Sequence, residues 1–380
     1  MTAARIGSTP ASAKPSAEER KANLSVRQLM VLRFRRNKLA VVGAVVLVIM
    51  YISMIFAGFV SPYTETTTHE KYVSAPPFWP KFIDSEGQFH LRPFVYGIAS
   101  TTDRATFKKV YVEDTSQIYP VYFFKRGLPY QLLGVIEANV HLFQVDEPGK
   151  IFLLGTDRNG RDQFSRIMYG SQISLTIGLI GVSLSLAIGS FLGVASGYYG
   201  GAIDNITQRV IEVIQSIPQI PLWLALAAAV PANWDPVQVY FGIIIVLSLV
   251  TWGGLARQVR GITLSLRESD FVTAARYTNC RTRRILSKHL LPNTYSHLLV
   301  IATLAIPGMI LGETALSFLG LGIRPPMVSW GVLLNEAQQV RVLLQNPWLL
   351  SPIAFVLATV VSYNFVGDGL RDAADPFAGE

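Results

Sequence analysis

Six long apolar windows constrain the fold of this 380-residue chain more than any other feature. A helix needs roughly 20 apolar residues to cross a bilayer. The predicted spans are residues 39–60, 173–198, 210–230, 237–256, 298–321 and 347–366. Charged residues make up only 15% of the chain, whereas soluble domains carry about 25%. The sequence therefore predicts an all-α polytopic membrane protein.

Basic residues next to the spans predict the orientation. The tail 1–38 is rich in arginine just before the first span, and so is the connection 257–297. Four spans separate these two regions, so both are assigned to the cytoplasm. The tail 367–380 returns to the same side after the sixth span. Both termini are therefore expected in the cytoplasm.

The region 61–168 is then expected outside the cytoplasm, as an insertion between the first two helices. Val110–Val112 and Tyr119–Phe124 are typical of strands, and turns are predicted at 125–127 and 147–149. The insertion is interpreted as partly β. It acts either as a packing cap or as a docking surface for a protein that delivers cargo.

Acidic and basic residues precede the second span. Asp157 and Asp162 fit the start of the helix that leads into it, where acids are favoured, and Arg161 is a partner for one of them. Contact with a docking protein is the alternative role for these three residues.

Small residues recur every four positions within the second span. Gly189, Gly193 and Gly197 continue a stripe that begins at Gly181 and Ser185. Such a stripe lets two helices approach closely in lipid. Both a partner helix in this chain and a second subunit fit the pattern.

Three further residues lie within the spans where function is expected. Pro218 and Pro221 each remove a backbone donor, which predicts a bend in the third span. The bend is either structural or a flexing part of a transport path. Glu313 is an acid inside the fifth span, either a hydrogen-bonded structural group or a contact for a substrate.

The connection 265–293 is charged and soluble-looking. Ser265 and Glu268 fit a capping box. Phe271, Ala274, Ala275 and Thr278 share one small, apolar face, and Ile285, Leu286, His289 and Leu290 form another beyond a break at Asn279-Cys280. Pro292 is expected to end the unit. Lipid headgroups and a groove on a cytoplasmic partner remain equal candidates for what covers these faces.

Catalytic and metal sites are not expected in this chain. A phosphate-binding GxxxxGK[ST] loop and a GxSxG frame are both missing from the sequence, and the histidines are scattered. No cofactor is therefore expected here, and if the chain moves cargo uphill, the energy has to come from another protein. A nucleic-acid partner is not expected either.

Residues 273–293, TAARYTNCRTRRILSKHLLPN, resemble the EAA loop of bacterial ABC importer permeases. Ala274, Ala275, Ile285, Leu291 and Pro292 match that pattern. Thr273 stands where Glu is usual, and Asn279 stands where Gly is usual. Residues 153–175, 312–331 and 367–376 also resemble the dipeptide/oligopeptide (DppC/OppC-like) permease family.

The resemblance implies a permease with six spans that pairs with a second, DppB/OppB-like permease. It also implies two cytoplasmic ATPase subunits that hold ATP and Mg, and an extracytoplasmic solute-binding protein. The EAA loop acts in the family as the coupling element. The positions that would contact the ATPase are Phe271, Thr273, Ala274, Ala275, Arg276, Thr278, Asn279, Ile285, His289, Leu291 and Pro292. A stand-alone carrier or channel, or a membrane-anchored scaffold or receptor, is the alternative function.

Overall fold

The computed structural model describes residues 26–374 apart from 103, 105–108 and 133. The helices before the insertion are α1 (Val26–Arg36), α2 (Lys38–Ile55) and α3 (Ala57–Val60). Those after it are α4 (Gln163–Tyr199), α5 (Gly201–Ser216), α6 (Gln219–Ala228), α7 (Pro236–Leu266), α8 (Asp270–Tyr277), α9 (Thr282–Arg284), α10 (Leu291–Phe318), α11 (Trp330–Ala337), α12 (Val340–Gln345) and α13 (Pro352–Ala374). Short 3₁₀ turns cover Glu70–Tyr72 and Pro347–Leu350, and Ile285–Leu290 is a π-helix.

Five helical segments within the described residues are long and apolar enough to cross a membrane. They are α2, α4, α7, the 297–318 part of α10, and the segment 347–374. The pair α5 and α6 makes a sixth if it is counted as one span, but its axes differ by 89°. The chain is therefore a multi-pass helical membrane protein, and the bend predicted within the window 210–230 lies between α5 and α6.

Two helices extend well beyond their predicted apolar windows. Helix α4 begins ten residues before position 173, and α7 continues ten residues past position 256. The added turns carry charged side chains that are paired inside the protein. In α7, for example, Arg260 Nε donates to Asp204 over 2.6 Å. Hydropathy alone underestimates helix length where charges are neutralised in this way.

The insertion contains a four-stranded antiparallel sheet, which confirms its partly β character. The strands are β1 (Lys81–Ile83), β2 (Phe89–Thr102), β3 (Lys109–Leu132) and β4 (Ile136–Val145), in that order across the sheet. The turn predicted at 125–127 is wrong, because these residues continue β3, whose register with β4 shifts after Arg126. A bend does follow β4, where Gly149 N donates to Asp146 O over 2.9 Å.

Both ends of the described chain lie at the same end of the bundle. The α1 helix packs on α13, and a Cβ added to Gly369 would lie 3.3 Å from the ring of Phe34. Residues 26–36 of the predicted tail 1–38 form helix α1, and α13 runs into the predicted tail 367–380 as far as Ala374. Residues 1–25 and 375–380 of those tails lie outside the described residues.

Candidate functional site

The loop 265–293 is packed into the helical bundle on one side. Helix α8 buries Val272 and Ala275, and the π-helix adds Ile285 and Leu290. These side chains form one cluster with Val194 of α4, Val259 of α7 and Leu298 of α10. Because the cluster joins the loop to three long helices, a force applied to the loop reaches those helices directly.

The opposite side of α8 is exposed and lines an open hollow of about 920 Å³. Phe271, Ala274 and Thr278 are exposed there, and Arg281 and Arg284 supply positive charge at its wall. Asn279 and His289 also line the hollow. The exposed face thus combines a small apolar surface with cations, which suits a protein partner with a ridge and acidic groups.

The structure divides the predicted contact residues between the two sides. Ala275 is only 8% exposed and packs mainly in the inner cluster, although it also borders the hollow. Arg276 lies over the ring of Tyr198, 5.1 Å from its centroid. Thr273 and Leu291 are half-buried, and Pro292 is exposed. The periodicity of a short amphipathic helix could not tell which of its two small-residue faces meets the bundle.

The break after α8 is made by Asn279, whose φ is 57°. Cys280 N donates to Ala275 O over 3.0 Å, and Asn279 N donates to Arg276 O over 2.9 Å. These two bonds form a Schellman motif, which requires a left-handed residue between them. Asn adopts that conformation more readily than other residues with a side chain. The predicted turn at Asn279-Cys280 is confirmed.

The predicted capping box at the start of the loop is wrong. Ser265 lies inside α7, and its hydroxyl donates to Ile262 O over 2.8 Å. The residue before α8 is Ser269, whose side chain makes no capping bond. Helix α7 extends past the point where its apolar window ends, so the pattern SLRE spans a helix end rather than a helix start.

Pro292 does not end the unit, which corrects another expectation. Helix α10 begins at Leu291 and continues through Pro292 toward the membrane. In the preceding π-helix, Leu291 N donates to Leu286 O, five residues back. The wider π turn and the position of Pro292 in the first turn of α10 accommodate a residue without an N–H. Residues 282–318, the last part of the loop and the span after it, therefore form one continuous helical rod.

The glycine stripe of α4 packs against α7 of the same chain. A Cβ on Gly193 would lie 2.6 Å from the carbonyl oxygen of Ala256, and one on Gly197 would lie 2.8 Å from Cβ of Thr263. A Cβ on Gly189 would lie 2.9 Å from Cβ of Leu255. Real side chains do not approach backbone this closely, so the spacing of α4 and α7 depends on glycine.

The bend in the third apolar window lies at Ile217 and Pro218. Ile217 has extended backbone, and Pro218 stands directly before α6. Pro221 falls in the first turn of α6, where a missing N–H costs nothing. Of the two prolines, Pro218 therefore marks the break and Pro221 favours the new helix.

Glu313 is fully buried and hydrogen-bonded. Its carboxylate accepts from Ser317 Oγ over 2.7 Å and from Ser174 Oγ over 3.1 Å. Ser174 Oγ in turn accepts from Trp330 N over 3.1 Å. Glu313 thus ties α10 to α4 and α11, and this arrangement favours its structural interpretation over contact with a substrate.

Four charged side chains form a network where α4 begins. Arg166 Nη1 lies 2.8 Å from Asp157 Oδ2 and 2.6 Å from Glu336 Oε2. Arg161 Nε lies 2.7 Å from Asp157 Oδ2, and Arg161 Nη2 lies 3.2 Å from Glu336 Oε1. The side chains of Arg166 and Asp157 are each only 1% exposed. The network fastens α11 to the start of α4.

The electrostatic state of Glu336 follows from this network. Burial acts to raise the pKa of Glu336, but hydrogen bonds from Arg166 and the charges of Arg166 and Arg161 hold the pKa below its ordinary value. Sequence reasoning missed Arg166 and Glu336. They are 170 positions apart, and no local pattern links an arginine before one span to a glutamate before another.

Asp162 caps α4, as one of the two sequence interpretations had it. Its Oδ2 accepts from Ser165 N over 2.7 Å and from Ser165 Oγ over 2.6 Å. Burial raises the pKa of Asp162 to about 7 in spite of these bonds. Asp157 and Asp162 are both 1% exposed, which favours capping and pairing over contact with a docking protein.

Comparison with known proteins gives matches over nearly the whole chain. The model of the binding-protein-dependent transport system inner membrane component matches residues 189–379. The model of the N-terminal TM domain of oligopeptide transport permease C matches residues 25–77.

Individual relatives are similar to this chain at 30–43% identity. The oligopeptide transport system permease protein OppC of Haemophilus influenzae is 43% identical over 224 residues, 58% of this chain and 69% of that protein. OppC of Bacillus subtilis is 30% identical over 370 residues, 97% of this chain and 95% of that protein. The dipeptide transport system permease protein DppC of Lactococcus lactis is 33% identical over 361 residues, 92% and 90% of the two chains.

Proposed function

This chain belongs to the family of inner membrane components of binding-protein-dependent transport systems, and we propose that it is the permease subunit of an ATP-binding cassette importer for dipeptides or oligopeptides. The relatives' names support the cargo class. The bundle of apolar helices supports a transport role, and the loop 265–293 supports coupling to another protein.

The proposed topology has six spans, with α5 and α6 together forming the third. An even number of spans is supported by the contact between α1 and the end of α13, which lie at the same end of the bundle. Arg33, Arg35 and Arg36 at the end of α1 favour the cytoplasm for that end. The membrane is then a bacterial inner membrane, with the insertion on its outer side.

The observation that carries the proposal is the two-sided packing of α8. Its inner side is fixed by Val272 and Ala275, whereas its outer side exposes Phe271, Ala274 and Thr278 around a cationic hollow. A short helix with an unpartnered face above a rigid base suits docking in a groove of another protein. We assign that groove to one of two cytoplasmic ATPase subunits, which hold ATP and Mg.

Movement of the docked loop passes to the spans through continuous structure. From Thr282 onward the loop runs as continuous helix into α10, and the glycine stripe holds α4 against α7. The break at Pro218 is the proposed flexing point, because it separates α5 from α6. A second, similar permease completes the path across the membrane.

An extracytoplasmic solute-binding protein delivers the cargo to the side of the insertion. The surfaces proposed for its docking belong to the sheet and not to Asp157 or Asp162, whose side chains are buried. The network of Arg161, Arg166 and Glu336 instead fastens α11 to the start of α4.

Purification and transport assays test the proposed function. When it is co-expressed with its proposed partner subunits, the chain is expected to co-purify with two ATPase subunits and a second permease. In proteoliposomes, ATP hydrolysis and peptide uptake are expected to rise when peptide-loaded binding protein is added. Uptake by the purified chain alone, without ATP, would instead support a stand-alone carrier and contradict the proposal.

Substitution of Asn279 tests whether the turn after α8 presents the docking face. Asn279→Gly is expected to keep ATP-driven uptake, since glycine adopts a φ of 57° freely. Asn279→Val is expected to cripple uptake, because a β-branched residue pays about 1–3 kcal/mol in that conformation. Equal uptake by the two variants, measured at equal amounts of assembled transporter, would show that the turn is made elsewhere.

A further inference from the structure

The tip of the β3–β4 hairpin is apolar and exposed. Val135 is 83% exposed and Ile136 is 58% exposed, and they meet Leu132 around Gly134. Hairpin tips in water normally carry Asn, Asp, Gly or Ser. A cluster of large apolar side chains at such a tip indicates a surface that meets something other than water.

The β3–β4 hairpin lies alongside the end of the first span. Gln144 Nε2 donates to Pro62 O over 2.6 Å, and Nδ1 of His141 lies 2.5 Å from Ser61 O. Further along the hairpin, Tyr130 packs on Gly58, where a Cβ would lie 2.3 Å from the tyrosine ring. The contacts move into α3 as they approach the tip. The tip therefore points toward the membrane.

The position of Tyr130 sets the depth that the tip reaches. Tyr130 pairs with Ala138, and Leu132 pairs with Ile136, so the tip begins two residues beyond Tyr130, about 7 Å along the strand. Gly58 is itself three residues, about 4.5 Å, inside the helix from Ser61. The tip thus lies level with the outermost turns of the first apolar window.

The neighbouring surface at that depth is also apolar. Ile52 and Phe56 of the first span are 52% and 41% exposed, as expected for side chains that face lipid. Phe124 of β3 meets Phe59 at a ring-centroid distance of 6.0 Å, where hairpin and span join. The exposed Glu137 directly follows the tip, which limits any insertion to its last residues.

We propose that Leu132, Val135 and Ile136 insert into the lipid interface beside the first span and anchor the insertion to the membrane. Interfacial elements bury apolar side chains about 5–10 Å into this region, which matches a tip that ends before Glu137. The anchor holds the sheet at a fixed height and tilt. It does not depend on the cargo or on ATP coupling.

Spin labelling of the whole transporter in lipid nanodiscs tests the anchor. In a Cys280→Ser background, which removes the chain's one cysteine, Val135→Cys carries the nitroxide. Collisions with oxygen, which concentrates in lipid, are expected to exceed those with a water-soluble nickel complex. Val112→Cys is the matched control, since Val112 is exposed in the same sheet at the end of β3 far from the tip. Its label is expected to show the reverse order.

Two other outcomes would overturn the anchor. A label at 135 that collides with nickel as freely as the label at 112 would place the tip in water. A label shielded from both reagents in the complete transporter would mean that a protein surface, such as the second permease, covers the tip. Ile136→Cys provides a second labelling position if the Val135 variant fails to assemble, and uptake by the Cys280→Ser background verifies that the transporter is intact.

Discussion

Ala274→Arg is expected to abolish peptide-stimulated ATP hydrolysis and uptake while leaving the chain folded in the membrane. Ala274 is exposed on the docking face between Phe271 and Thr278. A large side chain there overfills the contact at a cost of about 1–3 kcal/mol. That cost lowers the docking equilibrium constant about 5- to 150-fold. The measurements are the amount of ATPase that co-purifies and the rate of peptide-stimulated hydrolysis.

The control for this substitution is Tyr277→Arg. Tyr277 is 88% exposed on the same helix but does not line the hollow, so this variant is expected to keep its ATPase. Ala275→Arg is expected to behave differently from both, because it forces a charge into the chain's own cluster and lowers thermal stability. Normal uptake by the Ala274 variant would mean that the exposed face of α8 is not the coupling surface.

Arg166→Met is expected to cause the largest loss of stability of any substitution considered for this chain. Without Arg166, the buried Asp157 loses one of its two ion pairs and retains the one with Arg161, and Glu336 loses its closest cation. Removing one partner from a buried ionic network costs about 3–5 kcal/mol. The measurement is the thermal unfolding midpoint of the purified transporter in detergent, together with the accessibility of α11 to protease.

Two comparisons separate the network from a general effect of losing an arginine. Arg209→Met breaks the exposed pair with Glu212, whose side chains are 82% and 48% exposed, and is expected to change stability by less than about 1 kcal/mol. The double variant Arg166→Met with Glu336→Gln is expected to lose less stability than the sum of the losses caused by the two single substitutions. Additive losses would contradict coupling between Arg166 and Glu336.

The sequence predicted the parts of this fold that depend on local patterns. Apolar windows located the long helices, because about 20 apolar residues in succession have few other stable environments. Asn279 was identified as the turn residue, because few side chains tolerate a positive φ. The four-residue period of Gly189, Gly193 and Gly197 predicted close helix contact, but the identity of the partner helix required the structure.

Features that depend on contacts between residues far apart in the chain could not be predicted from the sequence. Nothing in the sequence shows that Arg166 meets Glu336, and the charge of Arg166 made the start of α4 look like part of the insertion. The inward orientation of Ala275 depends on Val194 and Leu298, which belong to other helices. Pro292 looked like a helix end because the compensating π-helix has no signature in the sequence.

The break between α5 and α6 has a consequence for hydration. A helix that stops at Ser216 leaves its last carbonyl oxygens without backbone donors from a following turn. Ser216 Oγ donates to Val213 O over 2.8 Å, and Pro218 has no N–H to serve the others. Ile217 is 45% exposed, so the chain itself does not cover this stretch. Hydrocarbon cannot satisfy free carbonyls. If α5 and α6 cross the membrane as one span, as proposed above, residues 216–218 must face water or a polar partner and lie on a hydrated side of the bundle.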